Sequence, residues 1–459
     1  MLAPQIFKAN DIRGITEPAD GVCLEWDEQG ARSLGLAYGQ LLGAEEMAVV
    51  AHDMRDSGPR LEAAFVEGLA AQGIHVVKAG LASTDQLWFA SGLLAVPGVQ
   101  FTASHNPASY NGVKFCRRGA QPVSPVFLAE LAALATAYDK GERLPAGTRT
   151  AGRVTERDFL DDYAACLHAL VPWQGVRRLK VVVDAGNGMA GHTAPAVLGP
   201  LGLDIVGLYL DLDGRFPNHE PNPLVPENLV DAQRAVQQEG ADLALVFDGD
   251  ADRCFVIDER GRTVSPSTVA ALIATAELAR QPGAAIVVNT ITSNAVREVV
   301  AEHGGRIVES RVGHTYMKAA MAENQAVFGG EHSAHYYFRD FWGADTGMLA
   351  GLHVLAQLGR QDRPLSELTA RYDRYAASGE INSVVADADT VMAKAAQAFT
   401  GQGEVCWGDG LKLTGDGWWF NLRPSNTEPL LRLNVEAVSA DQMARLRDAV
   451  LTLIAEEAQ

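Results

Sequence analysis

Cysteine is scarce and unpatterned. The 459 residues hold five, Cys23, Cys116, Cys166, Cys254 and Cys406, an odd number with no CxxC pair. That usage excludes a disulfide scaffold and a structural zinc site, and it points to a reducing, cytosolic setting. Long hydrophobic runs are missing too. No stretch of about 18 uncharged apolar residues occurs, so nothing is predicted to span a membrane. The opening MLAPQIFKANDIRG lacks an apolar h-region, and no signal peptide is expected from it. Positive charge is in deficit: 38 Lys and Arg stand against 57 Asp and Glu, a net charge of −19. This argues against nucleic acid or an anionic membrane as the main partner. An anionic small molecule stays admissible, because local arginines and lysines can reverse the field inside a cleft.

What is present is ordinary for a soluble globular chain: 47% apolar and 21% charged residues. The length suits roughly three domains of about 150 residues. Residues 1–150 alternate strand-like and helix-like segments, with strands expected at Met47–His52 and Ile74–Lys78 around a helix at Pro59–Gln72. Such alternation implies a parallel sheet. Asp11-Ile12-Arg13-Gly14 reads as an exposed turn, and the charged patch Asp139–Arg153 as a domain boundary. Residues 151–258 repeat the rhythm: a helix near Glu156–Leu170, then strands at Leu179–Asp184, Leu203–Leu210 and Ala241–Asp248. Residues 259–366 repeat it again, with a helix at Ser267–Ala279, a strand at Ala285–Asn289, a helix at Ser293–Glu302 and a strand at Ala326–Gly329. Residues 367–459 differ in kind. Strands at Trp418–Leu422 and Leu430–Glu436 and a helix from Asp441 suggest a small antiparallel α+β domain.

Four polar loops carry the chemistry. FTASHNPASYNGVK, Phe101–Lys114, displays Ser104 at the end of a strand, with His105 beside it and Lys114 within reach; Pro107 and the Asn111-Gly112 pair turn the chain. Asp248-Gly249-Asp250-Ala251-Asp252-Arg253 places carboxylates at alternate positions between two apolar strands. They repel one another unless a cation sits among them, and a hard divalent ion, Mg²⁺, is the natural occupant. A calcium EF-hand with Glu259 at its twelfth position fails on Arg253 and on the flanking strands; a solvated acidic turn remains open. In GGEHSAH, Glu331 and Ser333 can bond sugar hydroxyls from alternate positions with His335 beside them, or the histidines are structural. Arg423-Pro424-Ser425-Asn426-Thr427 offers a guanidinium, hydroxyls and backbone N–H groups to a phosphate. His314, after Val312-Gly313, either serves a ligand or caps a helix. Gly186-Asn187-Gly188-Met189-Ala190-Gly191 matches GxGxxG after a strand, with Asp211 about 20 residues on, where a NAD-dependent dehydrogenase would hold its ribose.

Together the four loops resemble the α-D-phosphohexomutase family, and within it the bacterial phosphomannomutase and phosphomannomutase/phosphoglucomutase branch. The resemblance runs from KANDIRG to SNTEPLLRLNVEA. It implies three related mixed α/β domains and a smaller α+β C-terminal domain around a central cleft. It implies that Ser104 carries a phosphoryl group and that Asp248, Asp250 and Asp252 hold Mg²⁺ together with it. Glu331, Ser333 and His335 would then read the sugar, and Arg423, Ser425, Asn426 and Thr427 would grip the non-transferring phosphate. Arg13, Lys114, Arg253 and His314 match positions lining the reaction centre, Lys114 being the candidate general acid/base. A hexose phosphate is the implied substrate, a hexose 1,6-bisphosphate the intermediate and activator, and the chain a monomer or small homo-oligomer. Departures are Asn10 where relatives often carry tyrosine, no lysine in IVVNTITS, and GEHSAH in place of GEMSGH. YYFRDFWGAD is closer to phosphomannomutases and favours mannose.

Overall fold

The computed structural model describes residues 1–8, 10–18, 23–43, 47–143, 150–424 and 430–457. The chain divides into two compact units, Met1–Val264 with Ser333–Leu368, and Ser265–His332 with Thr369–Gln459.

Among the described residues the first unit holds two sheets and the paired strands Tyr336–Phe338 and Ala344–Asp345. One sheet has the order Ile12–Ile15, Tyr110–Arg117, Gly98–Phe101, Met47–His52, His75–Leu81, Val154–Glu156. Its inner strands Gly98–Phe101, Met47–His52 and His75–Leu81 run parallel, linked by the helices Gly58–Ala71 and Thr84–Leu94. The second sheet runs Thr263–Val264, Cys254–Asp258, Leu243–Phe247, Lys180–Asp184, Asp204–Leu208. LALVF is buried throughout, as a strand covered on both faces must be. Helix starts follow the local chemistry: Ser124 caps the helix Pro125–Asp139 by accepting from the Phe127 N–H, with proline in the first turn. The helix expected from Glu156 begins instead at Leu160. Val154–Glu156 pairs in parallel with Val76–Lys78, and the Asp158 carboxylate accepts from the Leu160 N–H at 2.9 Å.

Asp11–Gly14 is not an exposed turn. Ile12–Ile15 is a strand paired antiparallel with Tyr110–Val113, and Asp11 and Ile12 are buried. No local pattern announces it; its hydrogen bonds go to a partner about a hundred residues away.

Asp85, fully buried on the helix Thr84–Leu94, accepts from the hydroxyls of Ser83, Tyr163 (2.6 Å) and Thr346 (2.6 Å). Burial outweighs those donors and pushes its carboxyl up to about 6. The native state therefore binds this proton more tightly than the unfolded chain, so its contribution to stability is present below about pH 4 and is lost as pH rises through about 6. The loss is of order 3 kcal/mol. Thermal melts from pH 4 to 7.5 should show it, and Asp85→Asn should lack that component.

In the second unit Arg306–Ser310, Ala285–Asn289 and Phe328–Gly330 form parallel pairs, with helices Pro266–Arg280, Asn294–Glu302 and His314–Asn324. The last domain is a five-stranded antiparallel sheet ordered Ala376–Val384, Leu430–Ala437, Trp418–Pro424, Leu411–Gly415, Glu404–Cys406. Val391 of the helix Ala388–Ala398, Phe399 just beyond it, and Val450 and Ile454 of the helix Ala440–Glu457 share a core with Leu413, Phe420 and Leu433. The architecture is three α/β domains followed by an α+β domain. Among the described residues no helix is long and apolar enough to cross a membrane.

Candidate active site

Strand pairing builds the site of the first unit. Tyr110–Arg117 folds back on Gly98–Phe101 with Lys114 opposite Gln100, and Arg13 stands opposite Gly112. Because residues two apart in a strand share a face, Arg13 and Lys114 lie on one side of neighbouring strands, by the Ser104 loop. Ser104 is 3% exposed and holds φ +50°, a left-handed conformation that a non-glycine residue adopts only when its surroundings impose it.

Leu243–Phe247 and Cys254–Asp258 form the hairpin that carries the aspartates. Ser104 Oγ donates to Asp248 Oδ2 at 2.9 Å. Arg253 donates to the same oxygen from Nε at 2.8 Å and to Ser104 Oγ at 3.3 Å. Lys114 Nζ donates to Asp250 Oδ2 at 2.7 Å and to Asp252 Oδ2 at 2.6 Å, and the Thr84 hydroxyl reaches Asp250 at 2.5 Å. Arg13 donates to Asp11 and to the Asn106 side chain, both at 2.8 Å. His335 Nε2 lies 3.6 Å from Asp252 and 4.0 Å from Asp345, and its Nδ1 is 3.0 Å from the Ser333 hydroxyl.

The electrostatics divide the acids. Burial pushes Asp248 up to about 7 against the pull of Arg253. Burial works the same way on Asp250, but Lys114 overcomes it and holds that carboxyl far below the usual range. Lys114 gives up its proton less readily than an ordinary lysine: Asp250 and Asp252 outweigh the burial that would discharge it. His105 is pushed well below its ordinary value by burial and by Arg253, whose guanidinium donates to its Nδ1 at 2.5 Å. Asp248, Asp250 and Asp252 bring one ligand atom each within 4.8 Å of one another. Asp250 Oδ1 and Asp252 Oδ1 are buried and accept no hydrogen bond among the described residues. Three such carboxylates fit a divalent cation.

Glu331, His314 and Arg423 belong to the second unit. Glu331 is 2% exposed and accepts from Asn289 Nδ2 at 3.0 Å and from the Gly313 N–H at 3.3 Å. His314 is the first residue of the helix His314–Asn324. Arg423 pairs in register with Arg432 across two strands, and Glu380 lies 3.6 Å from the first and 3.2 Å from the second. Ser425, Asn426 and Thr427 fall outside the described residues.

Sequence reasoning missed several neighbours. Arg55 lies in no quoted motif, and Asp345 and Arg432, inside YYFRDFWGAD and SNTEPLLRLNVEA, were given no role. Lys412 is another: its Nζ donates at 2.7 Å to the Thr290 carbonyl, inside IVVNTITS. A lysine thus comes to that segment from a distant strand, its amine pushed down to about 8 by burial.

GNGMAG is not a nucleotide cradle. A Cβ on Gly188 would stand 2.6 Å from the Gly249 carbonyl, and the Met189 N–H donates to that same carbonyl at 2.8 Å. The turn is filled by the aspartate loop, and its glycines serve close packing. The dehydrogenase reading falls with it.

Comparison with known proteins accords with this. The chain matches the four "Phosphoglucomutase/phosphomannomutase" descriptions: alpha/beta/alpha domain I over residues 4–142, domain II over 158–261, domain III over 265–375 and the C-terminal domain over 380–453. It is 38% identical over 440 residues to a phosphomannomutase of Escherichia coli K12, covering 94% of each chain. A protein of Xanthomonas campestris named phosphohexose mutases is 39% identical over 443 residues, again with 94% of each covered. The crystal structure of a phosphoglucomutase/phosphomannomutase family protein from Burkholderia thailandensis superposes with a TM-score of 0.89 at 32% identity, covering 100% of this chain and 99% of that one. By sequence and by fold, the chain belongs to the phosphoglucomutase/phosphomannomutase family.

Proposed function

We propose that the chain interconverts mannose 6-phosphate and mannose 1-phosphate by way of phosphoserine 104 and a hexose 1,6-bisphosphate, with some activity on glucose phosphates. One observation carries the reading: a buried serine hydroxyl 2.9 Å from Asp248, in a pocket with three aspartates, Arg253, Lys114 and Arg13. Phosphoryl transfer needs in-line positioning and charge neutralisation more than covalent assistance, and this set offers both.

The substrate's free hydroxyl oxygen bonds to phosphorus as the bond from phosphorus to Ser104 Oγ breaks, giving the bisphosphate. After the bisphosphate turns over, Ser104 Oγ takes the other phosphoryl group. Lys114, held charged by its two carboxylates, donates hydrogen bonds to the transferring oxygens and relays between them: the proton lost by the attacking hydroxyl ends on the departing oxygen, and Lys114 leaves each transfer charged. Asp248, Asp250, Asp252 and the Ser104 phosphate would hold Mg²⁺, which supplies charge neutralisation at the phosphoryl group. Ser333, His335 and Glu331 are proposed to read the sugar. Arg423, Ser425, Asn426 and Thr427 would take the non-transferring phosphate, with His314 in support. YYFRDFWGAD and the relatives named phosphomannomutase favour mannose.

Steady-state turnover of α-mannose 1-phosphate and α-glucose 1-phosphate, side by side with Mg²⁺ and a hexose 1,6-bisphosphate primer, tests this. Higher kcat/KM for mannose is expected; turnover of neither refutes the reading. A smaller change probes the same geometry. A Cβ on Gly249 would meet the Ser104 carbonyl at 2.4 Å, so Gly249→Ala should displace one reacting loop against the other. Turnover should fall roughly 10²-fold in a protein that stays folded by circular dichroism.

A further inference from the structure

Four backbone carbonyls of the Ser104 loop converge on one guanidinium. Arg55 Nη1 donates to the carbonyls of Pro107 (2.8 Å) and Tyr110 (2.9 Å), and Nη2 donates to those of Ser104 (2.9 Å) and Asn106 (2.6 Å). The side chain is 1% exposed. Asp53 faces its Nε at 3.4 Å and accepts from its backbone N–H at 3.0 Å, while the Phe216 ring lies 5.2 Å from its centre. A buried cation with one carboxylate beside it and four carbonyl dipoles in front is costly to build unless its geometry is used. What it fixes is specific: Ser104 stands at φ +50°, and its carbonyl lies in Arg55's grip while its hydroxyl points to Asp248. Only a planar fork reaches four acceptors in this way; an ammonium has three donors and no plane.

We propose that Arg55 is a positioning residue for the phosphoryl transfer, locking the Ser104 loop in the strained conformation that aims Oγ into the aspartate cluster. The inference rests on the phosphoserine reading. Arg55 acts through the loop's backbone, without touching substrate, so it governs the rate of transfer and leaves sugar-phosphate binding alone.

The test compares wild type, Arg55→Lys and Arg55→Met at a temperature where circular dichroism shows each folded. In both variants kcat should fall roughly 10²-fold with KM for the sugar phosphate unchanged, the signature of a misplaced reacting group. Millimolar guanidinium should restore part of the Arg55→Met rate. Amide hydrogen exchange over residues 102–110 should quicken in both variants, with other segments unchanged. Wild-type kcat in folded Arg55→Lys, a loss expressed in KM, or unaltered exchange over 102–110 would each overturn the proposal. The wild-type assay reports separately on the mutase reading, and the exchange data judge Arg55 whichever way that assay turns out.

Discussion

Ser104→Ala should eliminate turnover while leaving the fold intact. The proposed reaction passes every phosphoryl group through Ser104 Oγ, so no partial route survives its removal. Loss of a covalent nucleophile is felt on a scale of roughly 10⁴- to 10⁶-fold in kcat. The structural cost is small. Asp248 loses one donor yet keeps the Arg253 side chain at 2.8 Å and the Arg253 N–H at 3.1 Å, so about 1 kcal/mol or less is expected in a thermal melt. Steady-state kinetics and melting run on one preparation separate the two. A non-catalytic sugar-phosphate-binding protein gives a different pattern: no phosphate on Ser104, and unchanged function in the variant.

The second large effect is expected at Asp250. Its Oδ2 holds Lys114 and Thr84, while its Oδ1 is buried with no hydrogen bond among the described residues. Asp250→Asn removes a charge from the proposed cation site and releases Lys114 from one of its two carboxylates. Turnover should fall on the order of 10³-fold, the scale on which one preorganised electrostatic contact to a developing charge is felt. A chelator should silence the wild-type enzyme reversibly, with activity returning on adding Mg²⁺. In Asp250→Asn the Mg²⁺ concentration needed for half-maximal rate should rise. A variant with the wild-type metal requirement would remove Asp250 from that site.

Much of the scaffold was legible in the chain because its signals are local. LALVF and CFVID are short apolar runs on either side of an acidic turn, and they fold as the hairpin such a pattern implies. Ala285–Asn289 lies where its apolar run places it. Elements held by distant partners were not legible. Ile12–Ile15 is a strand only because Tyr110–Val113 pairs with it. The helix Glu28–Leu42 hides behind glycines that read locally as breakers. A Cβ on Gly35 would stand 2.1 Å from the Phe65 carbonyl, so that glycine lets two helices touch. The site divides in the same way. Ser104, Lys114 and the aspartates declare themselves by charge and spacing, and the structure draws them together. Arg55 grips carbonyls about fifty residues along the chain, and Lys412 meets a carbonyl over a hundred residues away; no window of sequence contains either pair.

The most direct measurement is transfer of labelled phosphate from a hexose 1,6-bisphosphate to the protein in the presence of Mg²⁺, followed by peptide mapping. The account predicts one phosphate per chain, on Ser104, discharged when mannose 6-phosphate or mannose 1-phosphate is added and absent from Ser104→Ala. Turnover of the sugar phosphate with no label on Ser104, or label that substrate cannot discharge, would contradict it.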